Sequence, residues 1–176
     1  MNPKIKKIKM IISDIDGVWT DGSFYKGTDG KEFKKFNVND GVGVAMAKAA
    51  GYKIALISGR YSPATEYRAK ELNIEDVYNG GLNKIIAYEE LKIKYNLIDS
   101  EIAYVGDDLI DIPVMEKVGA PIAVANAITS VKKISTYITK TAGGYGAFRE
   151  SVSWIIDQQG RTNDILKMMK EQILKS

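Results

Sequence analysis

Along this chain, short apolar runs alternate with stretches of helical spacing. Ile8–Ile15 stays apolar until it meets carboxylates, which predicts a buried strand. Val42–Ala50, rich in alanine and small apolar residues, predicts a helix that Gly51 stops. Lys53–Ile57 predicts a second buried strand, running into Ser58-Gly59-Arg60. Pro63–Leu72 predicts a helix with Ser62 as its N-cap and Pro63 in its first turn. Further on, the pattern predicts strands at Asp76–Tyr78, Ile102–Val105, Pro121–Val124 and Tyr137–Ile138, and helices at Asn83–Tyr95 and Ile110–Val118. Ala147–Gln159 and Asp164–Leu174 read as amphipathic helices.

Strand followed by helix, repeated, implies an α/β fold: a doubly wound parallel sheet with helices on both faces. One segment breaks the rhythm. Gly22–Phe36 holds two short alternating runs, Ser23–Tyr25 and Glu32–Phe36, around Gly27-Thr28-Asp29-Gly30, and the Asp-Gly signal predicts a β-hairpin insert. No internal repeat, low-complexity tract or long linker interrupts the chain, so residues 1–176 read as one domain.

Composition narrows the chemistry. Hydrophobic residues make up 45% and charged residues 27%, as in an ordinary globular chain, and the net charge of +3 is too small and too evenly spread to suggest nucleic acid. The one basic cluster, Lys4, Lys6, Lys7 and Lys9, reads as a solvated lead-in to the first strand. No apolar run approaches the ~20 residues of a membrane helix, and Asp14 and Asp16 interrupt the N-terminal apolar stretch before it could act as a signal peptide. The absence of cysteine excludes disulfides and thiolate catalysis and fits a reducing, cytoplasmic setting. The absence of histidine excludes Ser-His-Asp triads, His-ligated zinc and imidazole bases, so proton transfer near neutral pH falls to carboxylates, lysine or tyrosine.

In open α/β sheets the site forms beyond the carboxyl ends of the strands. Those ends carry Asp14-Ile15-Asp16-Gly17, Ser58-Gly59-Arg60 and Gly106-Asp107-Asp108, with Lys84 opening a helix and Asp111 one turn further on. Carboxylates gathered this closely repel one another unless a cation sits among them. Oxygen donors without nitrogen or sulfur indicate a hard cation, magnesium by default.

This ordered set resembles the haloacid dehalogenase-type phosphatases. Asp14-Ile15-Asp16-Gly17-Val18-Trp19-Thr20-Asp21-Gly22 is similar to the family's opening signature, and Ser58, Lys84 and Gly106-Asp107-Asp108-Leu109-Ile110-Asp111 supply the second, third and fourth motifs. The hairpin, Phe36-Asn37-Val38-Asn39-Asp40-Gly41, Tyr104-Val105-Gly106-Asp107-Asp108 and Gly143-Gly144-Tyr145-Gly146-Ala147-Phe148-Arg149-Glu150 extend the likeness, up to about Trp154, to the 3-deoxy-D-manno-octulosonate 8-phosphate phosphatase family. That resemblance implies a core without a large cap domain. It also implies a homotetramer in which the hairpin and C-terminal segment of one subunit help close a neighbour's site.

It further implies roles. Asp14 is the nucleophile that forms an aspartyl-phosphate, and Asp16 donates a proton to the leaving sugar oxygen and later takes one from water. Magnesium is held by Asp14, the backbone carbonyl of Asp16 and Asp107. Asp108 and Asp111 stay open: one reaches the metal through water, or Asp111 caps the following helix. Ser58 and Lys84 bind the phosphoryl group, Lys84 pairing with Asp14 as well. Gly59, Arg60, Arg68 and Arg149 are expected at the substrate, with Arg149 acting across a subunit interface, and Asn39 and Asp40 are expected to meet sugar hydroxyls. Met46, Phe24, Tyr25 and Phe36 are expected in core or interface.

Two positions depart from the family pattern. Tyr145 stands where the glycine-rich tail usually has arginine, and Trp19 replaces a leucine, as in relatives acting on nonulosonate 9-phosphates. Arg60 points back to the octulosonate side. Three rivals therefore stand beside the octulosonate phosphatase: a nonulosonate 9-phosphate phosphatase, a signalling receiver domain and a catalytically silent oligomerisation domain. The receiver fares poorly because Asp76–Tyr78 ends in Asn79-Gly80-Gly81, without the aspartate a receiver phosphorylates there.

Overall fold

The computed structural model describes residues 5–175; Lys4 of the basic cluster lies outside the described residues. A parallel sheet is built from β1 (Met10–Ser13), β4 (Lys53–Ser58), β5 (Asp76–Asn79), β6 (Ile102–Gly106), β7 (Ala120–Ala123) and β8 (Tyr137–Ile138), in the order β5-β4-β1-β6-β7-β8. A separate antiparallel pair, β2 (Tyr25–Lys26) and β3 (Glu32–Phe33), forms the hairpin. β1 lies between β4 and β6 and is buried along its whole length, which is why its sequence carries no polar alternation.

Helices α1 (Val38–Ala49), α6 (Ala147–Gln158) and α7 (Thr162–Ile173) pack together, and α1 covers β4. Helices α3 (Lys84–Tyr95) and α4 (Ile112–Met115) pack with each other, and α3 also meets β4, from the opposite face. Helix α2 (Pro63–Glu71) covers β5, and α5 (Thr129–Ile134) covers β7. One contiguous core joins the faces through residues such as Ile12, Leu56, Tyr88, Tyr104 and Phe148.

The doubly wound sheet and the hairpin follow the sequence reading, with four local corrections. Helix α1 begins at Val38 rather than Val42, because Asn37 caps it by accepting the Asn39 N–H at 2.9 Å. Its Gly43 is needed there: a Cβ would lie 2.8 Å from Arg149 Cα, where α1 and α6 meet. Ser62 occupies the N-cap position of α2 without capping it; its hydroxyl donates to Glu32 Oε1 instead. The helix expected over Ile110–Val118 is a 3-10 turn, Leu109–Asp111, leading into the short α4, with Pro113 in its first turn. Helix α5 was not predicted: it has six residues and buries only Val131, too little to create a periodic signal.

Candidate active site

Register aligns the chemistry. Ser13 pairs with Leu56 on one side and Val105 on the other, so Asp14, Ser58 and Gly106-Asp107 leave the sheet at one edge. After β5 the chain crosses to the far side of β1, which makes this edge the topological switch point of the sheet. A cleft of about 610 Å3 opens there, lined by Asp14, Asp16, Ser58, Gly59, Arg60 and Asp108, with Gly22 and Phe24 from the hairpin side.

Behind Asp14 lies a buried ionic cradle. Lys84 Nζ, fully buried at the start of α3, donates to Asp14 Oδ1 at 2.5 Å and to Asp111 Oδ1 at 2.7 Å. Asp111 Oδ1 also accepts from the Tyr104 hydroxyl at 2.7 Å, and its Oδ2 accepts the backbone N–H groups of Asp107 and Asp108 at 2.9 and 3.2 Å. Asp111 thus belongs to a group of three carboxylates close enough to share an ion, with Asp14 and Asp107. Its four hydrogen bonds nevertheless leave it no lone pair to offer. Through the last two of these bonds it anchors the loop carrying Asp107. The N-cap of the 3-10 turn is Asp108, which accepts the Leu109 N–H.

Asp107 differs. Its Oδ1 is buried with no partner, among the described residues one of few such atoms. Gly17 makes the fit possible: at φ +98° its missing Cβ would sit 2.0 Å from Asp107 Oδ2. Burial first, and Asp14 next, push the Asp107 carboxyl up to about 8. Burial likewise raises Asp14 to about 7, against the opposing pull of Lys84. Burial also works against the Lys84 charge, but Asp14 and Asp111 outweigh it and hold that ammonium above its ordinary range. Three carboxylates around one lysine leave excess negative charge. A divalent cation beside Asp14 and Asp107 would offset that charge.

Asp16 is held from the other side. Its Oδ1 pairs with Lys34 Nζ at 2.7 Å, and its Oδ2 lies 3.6 Å from Arg60 Nε. Arg60 spends its other two nitrogens on Glu32, at 2.7 and 3.1 Å, and its guanidinium lies 4.4 Å from the Phe24 ring centre. Arg60 therefore lines the cleft as expected but is not free for a bidentate grip on a substrate carboxylate. Ser58 reaches the cleft with its hydroxyl donating to the Arg60 carbonyl, and its own carbonyl accepts from Gly80 and Gly81. Sequence reasoning missed Glu32 and Lys34. The signal was present: residues two apart on an extended run share a face, and Phe33 between them points outward, 60% exposed.

Asn39, Asp40, Arg68 and Arg149 do not line this cleft; they gather around the start of α1. Asp40, expected at sugar hydroxyls, is fully buried and caps α6, its Oδ1 accepting the Arg149 N–H at 3.1 Å. Arg149 donates to Asn39 Oδ1 at 2.8 Å. Arg68 bonds Glu71 and the Asn37 carbonyl and lines a separate groove of about 500 Å3 beside the hairpin. Trp19 is buried against Phe148 with its indole N–H on Ser13 Oγ, so it offers the cleft nothing. Gly144 donates to the Val18 carbonyl, bracing the loop after Asp14 from within the same chain. Tyr145, in the arginine's place, lies under the Lys35 ammonium at 4.8 Å. Phe36 and Met46 pack against the core, while Phe24 and Tyr25 are exposed on the hairpin.

Comparison with known proteins places this geometry. A family profile described as haloacid dehalogenase-like hydrolase matches residues 69–147. The chain is 42% identical over 161 residues to the 3-deoxy-D-manno-octulosonate 8-phosphate phosphatase KdsC of Escherichia coli K12, covering 92% of this chain and 86% of that protein. Its fold is similar to the crystal structure of 3-deoxy-D-manno-octulosonate 8-phosphate phosphatase from Moraxella catarrhalis in complex with magnesium ion, phosphate ion and KDO. There the TM-score is 0.90 at 36% identity, over 94% of this chain and 95% of that chain. The same phosphatase from Yersinia pestis superposes with a TM-score of 0.88 at 39% identity, over 91% and 86% of the two chains.

Proposed function

The chain belongs to the 3-deoxy-D-manno-octulosonate 8-phosphate phosphatase family of haloacid dehalogenase-like hydrolases, and from that membership we propose that it hydrolyses 3-deoxy-D-manno-octulosonate 8-phosphate to the free sugar acid and phosphate. The observation that carries this reading is the unpartnered Asp107 oxygen beside Asp14, in a cleft at the switch point of the sheet.

Asp14 and Asp107 would hold magnesium, with the Asp16 carbonyl as a further ligand; the Moraxella relative binds magnesium and phosphate together. The bound cation supplies positive charge that lets a carboxylate approach a phosphate dianion. The other steps belong to the chain's own residues. An Asp14 oxygen attacks phosphorus in line, the bond from phosphorus to the sugar oxygen breaks, and that oxygen takes the proton of Asp16. Water then attacks the aspartyl-phosphate, gives its proton to Asp16, and Asp14 is released with orthophosphate. Lys84 orients Asp14 and offsets charge that builds on the phosphoryl oxygens. Ser58, turning from the Arg60 carbonyl, donates to one of them, and Gly59 lets the phosphate approach the backbone closely.

A homotetramer and a cytoplasmic setting belong to the same proposal. Phe24, Tyr25, Phe33 and Tyr67, all exposed around the hairpin, support an assembly that covers them. In it Asn39 and Arg149, and with them Arg68, would serve a neighbour's substrate; sedimentation equilibrium tests the assembly.

The decisive experiment measures phosphate release from octulosonate 8-phosphate, nonulosonate 9-phosphates and hexose phosphates, with magnesium or EDTA, for the wild type and Asp14→Asn. Octulosonate 8-phosphate is expected to turn over fastest, with chelation or the substitution lowering the rate ~10^4-fold or more. Faster turnover of a nonulosonate would transfer the assignment to that sugar. No turnover by a folded wild type would leave a silent domain.

A further inference from the structure

We propose that Lys34 is a positioning residue for proton transfer: from the hairpin it fixes the carboxylate of Asp16 against the leaving sugar oxygen. The inference rests on the phosphatase reading above but concerns a residue outside the four motifs. Lys34 directly follows β3, and its side chain is fully buried although the hairpin around it is largely exposed. A lysine gives up hydration only for partners, and the ones here are specific. Its Nζ pairs with Asp16 Oδ1 at 2.7 Å and donates to Thr65 Oγ1, buried in the first turn of α2, at 3.2 Å.

This double attachment locates the ammonium with respect to the core rather than to the hairpin alone. Oδ1 is thereby occupied, which leaves Oδ2, on the side of Arg60, as the oxygen that exchanges the proton. When that proton passes to the alkoxide as the phosphorus–oxygen bond breaks, Asp16 becomes a carboxylate whose new charge faces the Lys34 ammonium. Glu32, on the same face of the strand, clamps Arg60 and accepts the Ser62 hydroxyl, so the hairpin reaches the site through two separate charged contacts.

A structural role and a positioning role predict different dependence on the leaving group. An alkoxide needs the Asp16 proton; p-nitrophenolate leaves without one. The experiment compares kcat/KM for 3-deoxy-D-manno-octulosonate 8-phosphate and for p-nitrophenyl phosphate in the wild type, Lys34→Met, Lys34→Gln and Lys34→Arg. Lys34→Met is expected to lose ~10-fold or more on the sugar phosphate and less than ~3-fold on the aryl phosphate. Lys34→Gln should show the same split, reduced in size, and Lys34→Arg should recover most of the loss. Equal losses on both substrates in the Met and Gln variants, or no loss on either, would overturn the proposal while leaving the phosphatase assignment intact. A wild type that turns over neither substrate would overturn that assignment and this proposal with it.

Discussion

Asp14 and Asp16 stand two residues apart, yet the structures that hold them are built on different physics. Behind Asp14, Lys84, Asp111 and Tyr104 are buried, mounted on α3, the 3-10 turn Leu109–Asp111 and β6, and joined by hydrogen bonds through Asp111. Around Asp16, Lys34 and Glu32 arrive on a hairpin with two-residue strands and exposed aromatic residues. Removing one partner of a buried pair costs about 3–5 kcal/mol, whereas a part-exposed pair such as Arg60–Glu32 contributes about 0–1 kcal/mol. Asp14 is therefore held by contacts whose loss costs global stability. Asp16 is held from an element whose exposed contacts can be loosened with little effect on folding.

The sharpest way to break this contrast is Asp111→Asn. An amide would still accept from Lys84 and Tyr104 through its oxygen but would turn NH2 toward the Asp107 and Asp108 N–H groups and leave Asp14 as the only charged partner of Lys84. Urea denaturation is expected to show a loss of about 3 kcal/mol, and kcat/KM to fall ~10^2-fold through misplacement of Asp107. A large loss of activity at unchanged stability would mean that Asp111 acts on the ligands directly rather than as an anchor.

A smaller effect is expected on the hairpin side. Glu32→Gln keeps the length of the side chain and removes the charge that clamps Arg60, whose side chain is 39% exposed. Stability should change by less than ~1 kcal/mol, while KM for the sugar phosphate rises ~3- to 10-fold and trypsin cuts the hairpin at Lys31 sooner. A stability loss as large as that of Asp111→Asn would erase the distinction between the two regions.

The same distinction explains what the sequence made legible. Strand-end residues announce themselves because buried apolar runs break off abruptly into Asp14, Ser58 and Asp107, and Lys84 is conspicuous at a helix start, where the dipole disfavours it. Asp111 was visible but ambiguous, since a spacing of one turn fits a ligand, a cap or an anchor equally well. Lys34 and Glu32 legibly shared a face, but alternating charges on a hairpin ordinarily mark a solvated one; only the tertiary fold turns that face inward. The early start of α1 was masked by Gly41 and Gly43, which lower helix propensity while permitting the contact with α6. Asp40 was misplaced for the same reason: read as lying on a connection, it is inside the helix and under α6.

Asp40 supplies the finest test, because it is buried like the cradle yet incompletely satisfied, its Oδ2 having no partner. Burial, opposed by the backbone N–H groups of Arg149 and Phe148, pushes its carboxyl up to about 6 from an ordinary value of 3.8. Between those values the native state holds a proton on Asp40 that the unfolded chain has released, so the native state binds more protons and this contribution to stability falls as pH rises. Below about 4 and above about 6 the contribution is flat. Glu32, Asp99 and Glu101, whose carboxyls are held below their usual range, work in the opposite direction as pH falls, so the wild-type profile alone does not isolate Asp40. The difference between Asp40→Asn and the wild type does, since the other groups cancel. Urea denaturation with magnesium present is expected to show the variant gaining relative stability as pH rises from 4 to 6, then no further. A difference that stays level across that window would mean that water reaches Oδ2, and that burial at the α1–α6 contact is less complete than at the Asp14 cradle.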